Sequence, residues 1–161
     1  MTPRTLTFST AAGVVVVDQL TKWWAVRTLP DKPIALIGSF LELHYVTNTG
    51  SAFSLFQGAG MMLALAVVVA IAVIVMAVRH LERRPEALAM GLVLGGALGN
   101  PADRLFRGSG FLKGAVVDFV KFTHFPAFNA ADTAITVGAG LVLLVAFTLS
   151  RREPGNGHDA S

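Results

Sequence analysis

The 161 residues are 53% hydrophobic and only 14% charged, with a mean hydropathy of +0.62, against roughly 25% charged residues in a soluble domain. Cysteine is absent, which excludes disulfides, thiolate metal sites and a cysteine nucleophile. The net charge of +3 comes from a small surplus of Arg and Lys with no basic stripe among aromatics, so it reads as a membrane-topology signal and excludes nucleic-acid binding.

Four apolar blocks approach the length of about 20 residues that crosses a bilayer, and they predict spans at 6–26, 57–78, 87–106 and 130–149. The first contains Asp18 and Lys22, while the second carries no charge. A cleavable signal peptide fits the N-terminus poorly, because Asp18 interrupts the apolar stretch and "WWAVRTLP" offers no small-residue cleavage site. Arg4, the "RHLERR" turn (Arg79, Arg83, Arg84) and Arg151 with Arg152 lie next to span ends, so the positive-inside rule places both termini in the cytoplasm. Trp23 and Trp24 suit an interfacial belt at the outer end of the first span.

The two segments assigned to the outer face are patterned differently. "PIALIGSFLELHYVTNTGSAFSLF" has β-branched and aromatic residues in partial alternation and then a turn signal, Asn48-Thr49-Gly50. "KGAVVDFVKF", 113–122, alternates in the same way. Both predict short strands of a small sheet at the outer membrane surface. The expectation is a single membrane domain over 1–150, a four-helix bundle with a small sheet, followed by a disordered tail at 151–161.

With cytoplasmic termini, the ionisable residues of separate segments fall at one depth. Asp18 and Lys22, Asn100, Asp103 and Arg104, and Asn129 and Asp132 all lie toward the outer interface, and the loops add Asn48 and Asp118. Such groups are costly in hydrocarbon and face a bundle interior or a wet cavity, which points to one polar site. Each also has a plain reading. Asp18 and Lys22, four apart, can pair along one helix face. Gly91, Gly95 and Gly99 form overlapping G-x-x-x-G patterns suited to close helix packing, and Asp103 continues their stripe into the interior. Arg104 can snorkel or pair with Asp103 or Asp18. Asn129 and Asp132 in "FNAADTAI" fit an N-cap and first helical turn, and Asp118 a solvated strand residue. The four histidines have no zinc-ligand spacing, and no serine-hydrolase motif is present. Carboxylates are the best-supplied reagents for any catalysis.

In order along the chain, "VDQLTKWWA" (17–25), "NTGSAF" (48–53), "GGALGNPADRL" (95–105), "VVDF" (116–119) and "FNAAD" (128–132) resemble the signature segments of the lipoprotein (type II) signal peptidases of the bacterial cytoplasmic membrane. Any one of these segments is weak, whereas five in order over residues 13–138 are specific. The resemblance implies Asp118 and Asp132 as a catalytic pair, with Asp18, Lys22, Asn48, Asn100, Asp103, Arg104 and Asn129 as supporting or substrate-contacting positions and no metal or other cofactor. It implies a four-helix membrane bundle with a small outer sheet and an outer loop or helix over the site. The substrate implied is a diacylglyceryl-modified prolipoprotein lying in membrane lipid, cut just before its lipidated cysteine, with no obligate protein partner. Two departures from the family pattern stand out, Pro101 inside the third segment and Phe125 where an aromatic, often Trp, is usual. Pro101 would kink the third helix or end its ladder near Asn100.

Two carboxyls sharing one proton suit peptide hydrolysis, since repulsion keeps one protonated while the other is ionised. Their apparent pKa values belong to the pair, and the helix start beneath Asp132 inclines it toward the base. A transporter would also bury ionisable groups, but the charge-free second span and the lack of an inverted repeat count against it. A non-catalytic assembly protein would make alanine at Gly95 more damaging than asparagine at Asp118.

Overall fold

The computed structural model describes residues 1–49, 59–108 and 114–151, with backbone alone for 59–66. Residues 50–53 of the "NTGSAF" segment, 57 and 58 of the second expected span, Lys113, the expected outer loop beyond Thr49 and the tail past Arg151 lie outside the described residues.

Four helices occupy the expected blocks to within a few residues. They are α1 (Pro3–Thr28), α2 (Ala59–Ala77), α3 (Arg84–Phe106) and α4 (Ala130–Ser150), with a short 3-10 turn, Val78–His80, between α2 and α3. Helix α1 starts where its chemistry allows: the Thr2 side chain accepts from the Thr5 amide and Pro3 takes the first helical position. At its other end the Arg27 guanidinium lies 3.9 Å from the Trp23 ring centre, a cation–π contact beside two partly exposed tryptophans. Among the described residues α4 alone is long and apolar enough to cross a membrane by length and composition, and the apolar stretch Val67–His80 is shorter. Helices α1 and α3 are less apolar because each carries ionisable residues that the fold buries.

Helix α3 is the central element, packed against both α1 and α4. The glycine stripe makes the α1 contact possible. A methyl group at Gly91 would meet Thr10 and the Thr7 carbonyl, one at Gly95 would meet Ala11 and Val14, and one at Gly99 would meet Asp18. On another face of α3, Gly96 admits Ala131 and Ile135, while Gly138 of α4 in turn admits Val93. The packing reading of these glycines therefore holds for both neighbours. Pro101 lies inside α3 without ending it, and the helix continues to Phe106. Its ring nitrogen has no hydrogen for the Ala97 carbonyl. Nearby, the Gln19 side chain donates to the Gly99 carbonyl at 3.2 Å.

Three strands, β1 (Ile34–Ile37), β2 (Leu41–Asn48) and β3 (Val116–Phe122), form one antiparallel sheet in the order β1-β2-β3. The β1–β2 turn uses Gly38 at φ 49°, a left-handed conformation that glycine adopts without cost. Strand β3 pairs with β2 so that Val46 faces Asp118, next to an irregularity between Leu43 and Val46. Val117 and Phe119 pack with Ala25 and Leu29 at the end of α1. Strand alternation then turns Asp118, which lies between them, toward the opposite face. Phe128 accepts from and donates to Val120, which tethers the segment leading into α4 to this same strand.

Candidate active site

The start of α4 brings the two aspartates together. Asn129 is the N-cap: its side chain accepts from the Asp132 amide at 3.1 Å, and the Asp132 carboxylate accepts from the Asn129 amide at 3.2 Å. This is the reciprocal capping box expected for the segment. With its oxygen occupied by a backbone donor, the Asn129 side chain must point its Nδ2 the other way. There it donates to Asp118 Oδ1 at 2.6 Å, and it also reaches the Val117 carbonyl and Asn100 Oδ1. One buried amide thus serves as helix cap and as the bridge between Asp118 and Asp132.

Asp118 is not a solvated strand residue, being only 3% exposed. Burial pushes its carboxyl up from the ordinary 3.8 to about 6, and the negative charge of Asp132 adds to the rise. Hydrogen bonds from Asn129 and Asn48 and the Lys22 charge oppose it. Asn48, at the end of β2, is thereby placed on Asp118, and Asp132 is close enough to repel it. Asp132 is half-buried and accepts at Oδ1 from Asn100 Nδ2, 2.8 Å away.

Behind these residues lies a buried charge cluster. The Lys22 ammonium contacts Asp18 Oδ2, Asp103 Oδ2 and Asn100 Oδ1, each at 2.8 Å, so all three of its protons are used. Asp18 reaches past Lys22 to accept from the Ala131 amide at 2.9 Å, giving α4 a second cap from a different helix. Asp103 accepts from the Val117 amide of β3 at 3.2 Å and from Arg107 Nε at 2.7 Å. The side chains of Asp18, Lys22 and Asp103 are fully buried and that of Arg107 is 28% exposed. Two acids and two bases make the cluster neutral, the condition under which buried charge is tolerated.

The structure therefore joins Asp18, Lys22, Asn48, Asn100, Asp103, Asp118, Asn129 and Asp132 in one network. Arg104 is not part of it: it is half-buried, and among the described residues its side chain pairs with neither Asp103 nor Asp18. Arg107 takes that place, because it lies one turn beyond Asp103 on the same helix face, whereas Arg104 is rotated about 100° away. The i,i+4 spacing of Asp103 and Arg107 was a usable signal. Gln19 was also missed. It donates to Asp18, Asp103 and the Gly99 carbonyl at 3.1–3.2 Å, and no local pattern marks it. No group of three or more metal-ligating His, Asp or Glu side chains occurs among the described residues.

A solved structure described as a bacterial membrane enzyme, obtained by the in meso method, is 27% identical with a TM-score of 0.75, over 87% of this chain and 91% of its own. The fold and its polar centre thus define a bacterial membrane enzyme. A model of the family described as signal peptidase (SPase) II matches residues 10–148. The lipoprotein signal peptidase of Rhodococcus jostii (strain RHA1) is 45% identical over 152 residues, which are 94% of this chain and 76% of that protein. The lipoprotein signal peptidase of Symbiobacterium thermophilum is 40% identical over 149 residues, 88% and 94% of the two chains. The chain belongs to the signal peptidase II family, and it is a peptidase.

Proposed function

We propose that this peptidase removes signal peptides from diacylglyceryl-modified prolipoproteins by cutting just before the lipidated cysteine, with Asp118 and Asp132 as its catalytic pair. The observation that carries the assignment of residues is the double engagement of Asn129, which holds Asp118 through Nδ2 and Asp132 through a capping box. Asp118, raised to about 6 by burial and by Asp132, is the better holder of the shared proton. Asp132 receives a donor on each oxygen, from Asn100 and from the Asn129 amide, which suits the base. In the proposed reaction Asp132 takes a proton from water as its oxygen attacks the scissile carbonyl, and Asp118 protonates the carbonyl oxygen. Collapse of the tetrahedral intermediate breaks the C–N bond as Asp132 passes its proton to the leaving amine and Asp118 takes one back from the gem-diol hydroxyl, which restores the pair.

In this reading the chain is a single domain over 1–150 with four spans, both termini in the cytoplasm and the site at the outer face. The substrate keeps its lipid tails in the bilayer, so its scissile bond lies near the outer interface, where the network of Asp118 and Asp132 would sit and water has access. Asn48 and Arg104 remain as substrate-facing groups, because Arg104 has no ionic partner among the described residues and Asn48 is exposed at its strand end. Lys22, with every proton engaged, supports the site from behind.

Asp118→Asn and Asp132→Asn are each expected to leave a folded membrane protein that fails to process a diacylglyceryl-modified precursor, read as a gel shift with purified enzyme. Retained cleavage by either variant removes the pair from the mechanism. Cleavage by the unaltered enzyme is expected to be insensitive to a chelator.

A further inference from the structure

The Asn100 amide lies between a cation and an anion, and nothing in its own helix decides which way round it sits. Its oxygen accepts from Lys22 Nζ at 2.8 Å and from Asn129 Nδ2 at 3.1 Å, and its nitrogen donates to Asp132 Oδ1 at 2.8 Å. Turned over, it would set its NH2 against the ammonium and a second amide NH2, and its oxygen against a carboxylate oxygen. Asn129 needs no such help, since the Asp132 backbone amide already fixes its orientation. Lys22 comes from α1, Asn100 from α3 and Asp132 from α4, so the relay crosses three helices.

We infer that Lys22 is a positioning residue for the hydrolysis, its ammonium locking the Asn100 amide so that a donor, never an acceptor, is presented to Asp132. The inference rests on the Asp118–Asp132 reading. Without the lysine the closer of the two donors on the Asn100 oxygen is lost, leaving only Asn129 Nδ2 at 3.1 Å to oppose a turned amide, whose oxygen would meet Asp132 Oδ1 comfortably only when Asp132 carries a proton. The pair's single proton would move from the acid to the base and leave water without an acceptor. Lys22 is fully buried behind Asn100, so the effect falls on turnover and not on substrate affinity.

In the pair and the cluster joined to it, the charged groups are Asp18 and Lys22 on α1, Asp103 on α3 with Arg107 at its C-cap, Asp118 on β3 and Asp132 on α4. Among the described residues Arg104 on α3 pairs with none of these acids. Lys22→Met removes the lock and one positive charge. Asp18→Asn with Lys22→Met removes the lock while leaving the Asp103–Arg107 pair to keep the cluster neutral, so it serves where the single variant does not fold. Both are measured in detergent as kcat and KM against pH, per molecule shown to be folded by thermal melting, beside Asp118→Asn and Asp132→Asn. The expected result is a kcat lower on the order of 100-fold, a KM within about twofold, and an acid limb of the kcat profile moved up by about 1 in pH, retained in the charge-balanced double variant. A lowered melting point with normal kcat and an unmoved pH profile overturns the inference and leaves Lys22 a structural cation. Activity in either aspartate variant instead overturns the catalytic pair itself, and the two failures are thereby told apart.

Discussion

Asp118 is a residue held against its own preference. A rise from the ordinary 3.8 to about 6 means that the folded protein binds a proton more tightly than the unfolded chain does. Its contribution to stability is therefore complete below pH 4 and is lost as pH rises through 6, a range worth roughly 3 kcal/mol at most. Asp118→Asn abolishes that loss while keeping a group that can meet Asn129. We expect the variant to melt at higher temperature than the parent protein at pH 7 to 8, with the difference shrinking toward pH 4. Equal melting curves across that range would show that Asp118 is not strained. At this scale the sequence was partly legible. The resemblance named Asp118 and Asp132 as a pair with Asn129 among the supporting positions, whereas the capping pattern by itself read Asn129 and Asp132 only as a helix start, because nothing local reveals what the other end of a cap's side chain touches. Gln19 was invisible for the same reason: its partners Gly99 and Asp103 are some 80 residues away, and hydrogen bonds across such distances leave no periodicity.

Among elements, α3 decides the geometry, and its glycines are not equivalent to those elsewhere. A methyl at Gly99 would come within 2.7 Å of Asp18 Oδ2 and 2.9 Å of Ala131, so Gly99→Ala displaces the carboxylate that both pairs with Lys22 and caps α4. The expected cost is about 2 kcal/mol or more, with activity falling in step. Gly13 and Gly140 have open space where a methyl would go, so alanine there is expected to be neutral or slightly stabilising. Melting of the three variants side by side checks the distinction, and a Gly13→Ala as damaging as Gly99→Ala contradicts it. The helices were legible because hydrophobic blocks of this length leave few alternatives, and the strands because alternation and turn residues mark them. That the two outer segments share a small sheet was expected, but the register of β2 on β3 and its irregularity between Leu43 and Val46 were not, since the two strands are separated by α2 and α3. Of the two outcomes expected at Pro101, an end to the helix does not occur, as α3 continues to Phe106.

For the molecule as a whole, the absence of cysteine makes the proposed topology directly measurable. A single cysteine at Ser39, exposed in the β1–β2 turn, is expected to react with a membrane-impermeant maleimide added outside intact spheroplasts. One at Arg79, exposed beyond α2, is expected to react only after permeabilisation, and the reverse pattern would invert the orientation. The charged cluster also bears on how such a chain is made. Asp18 and Lys22 sit four residues apart on one helix and touch at 2.8 Å, so their attraction is available as soon as the first turns of α1 wind, long before Asp103 or Asn129 has left the ribosome. On the proposed topology the nascent segment would carry its own counter-ion into the translocon, and two charges that would each resist lateral release into lipid would travel as one neutral pair until their later partners arrive.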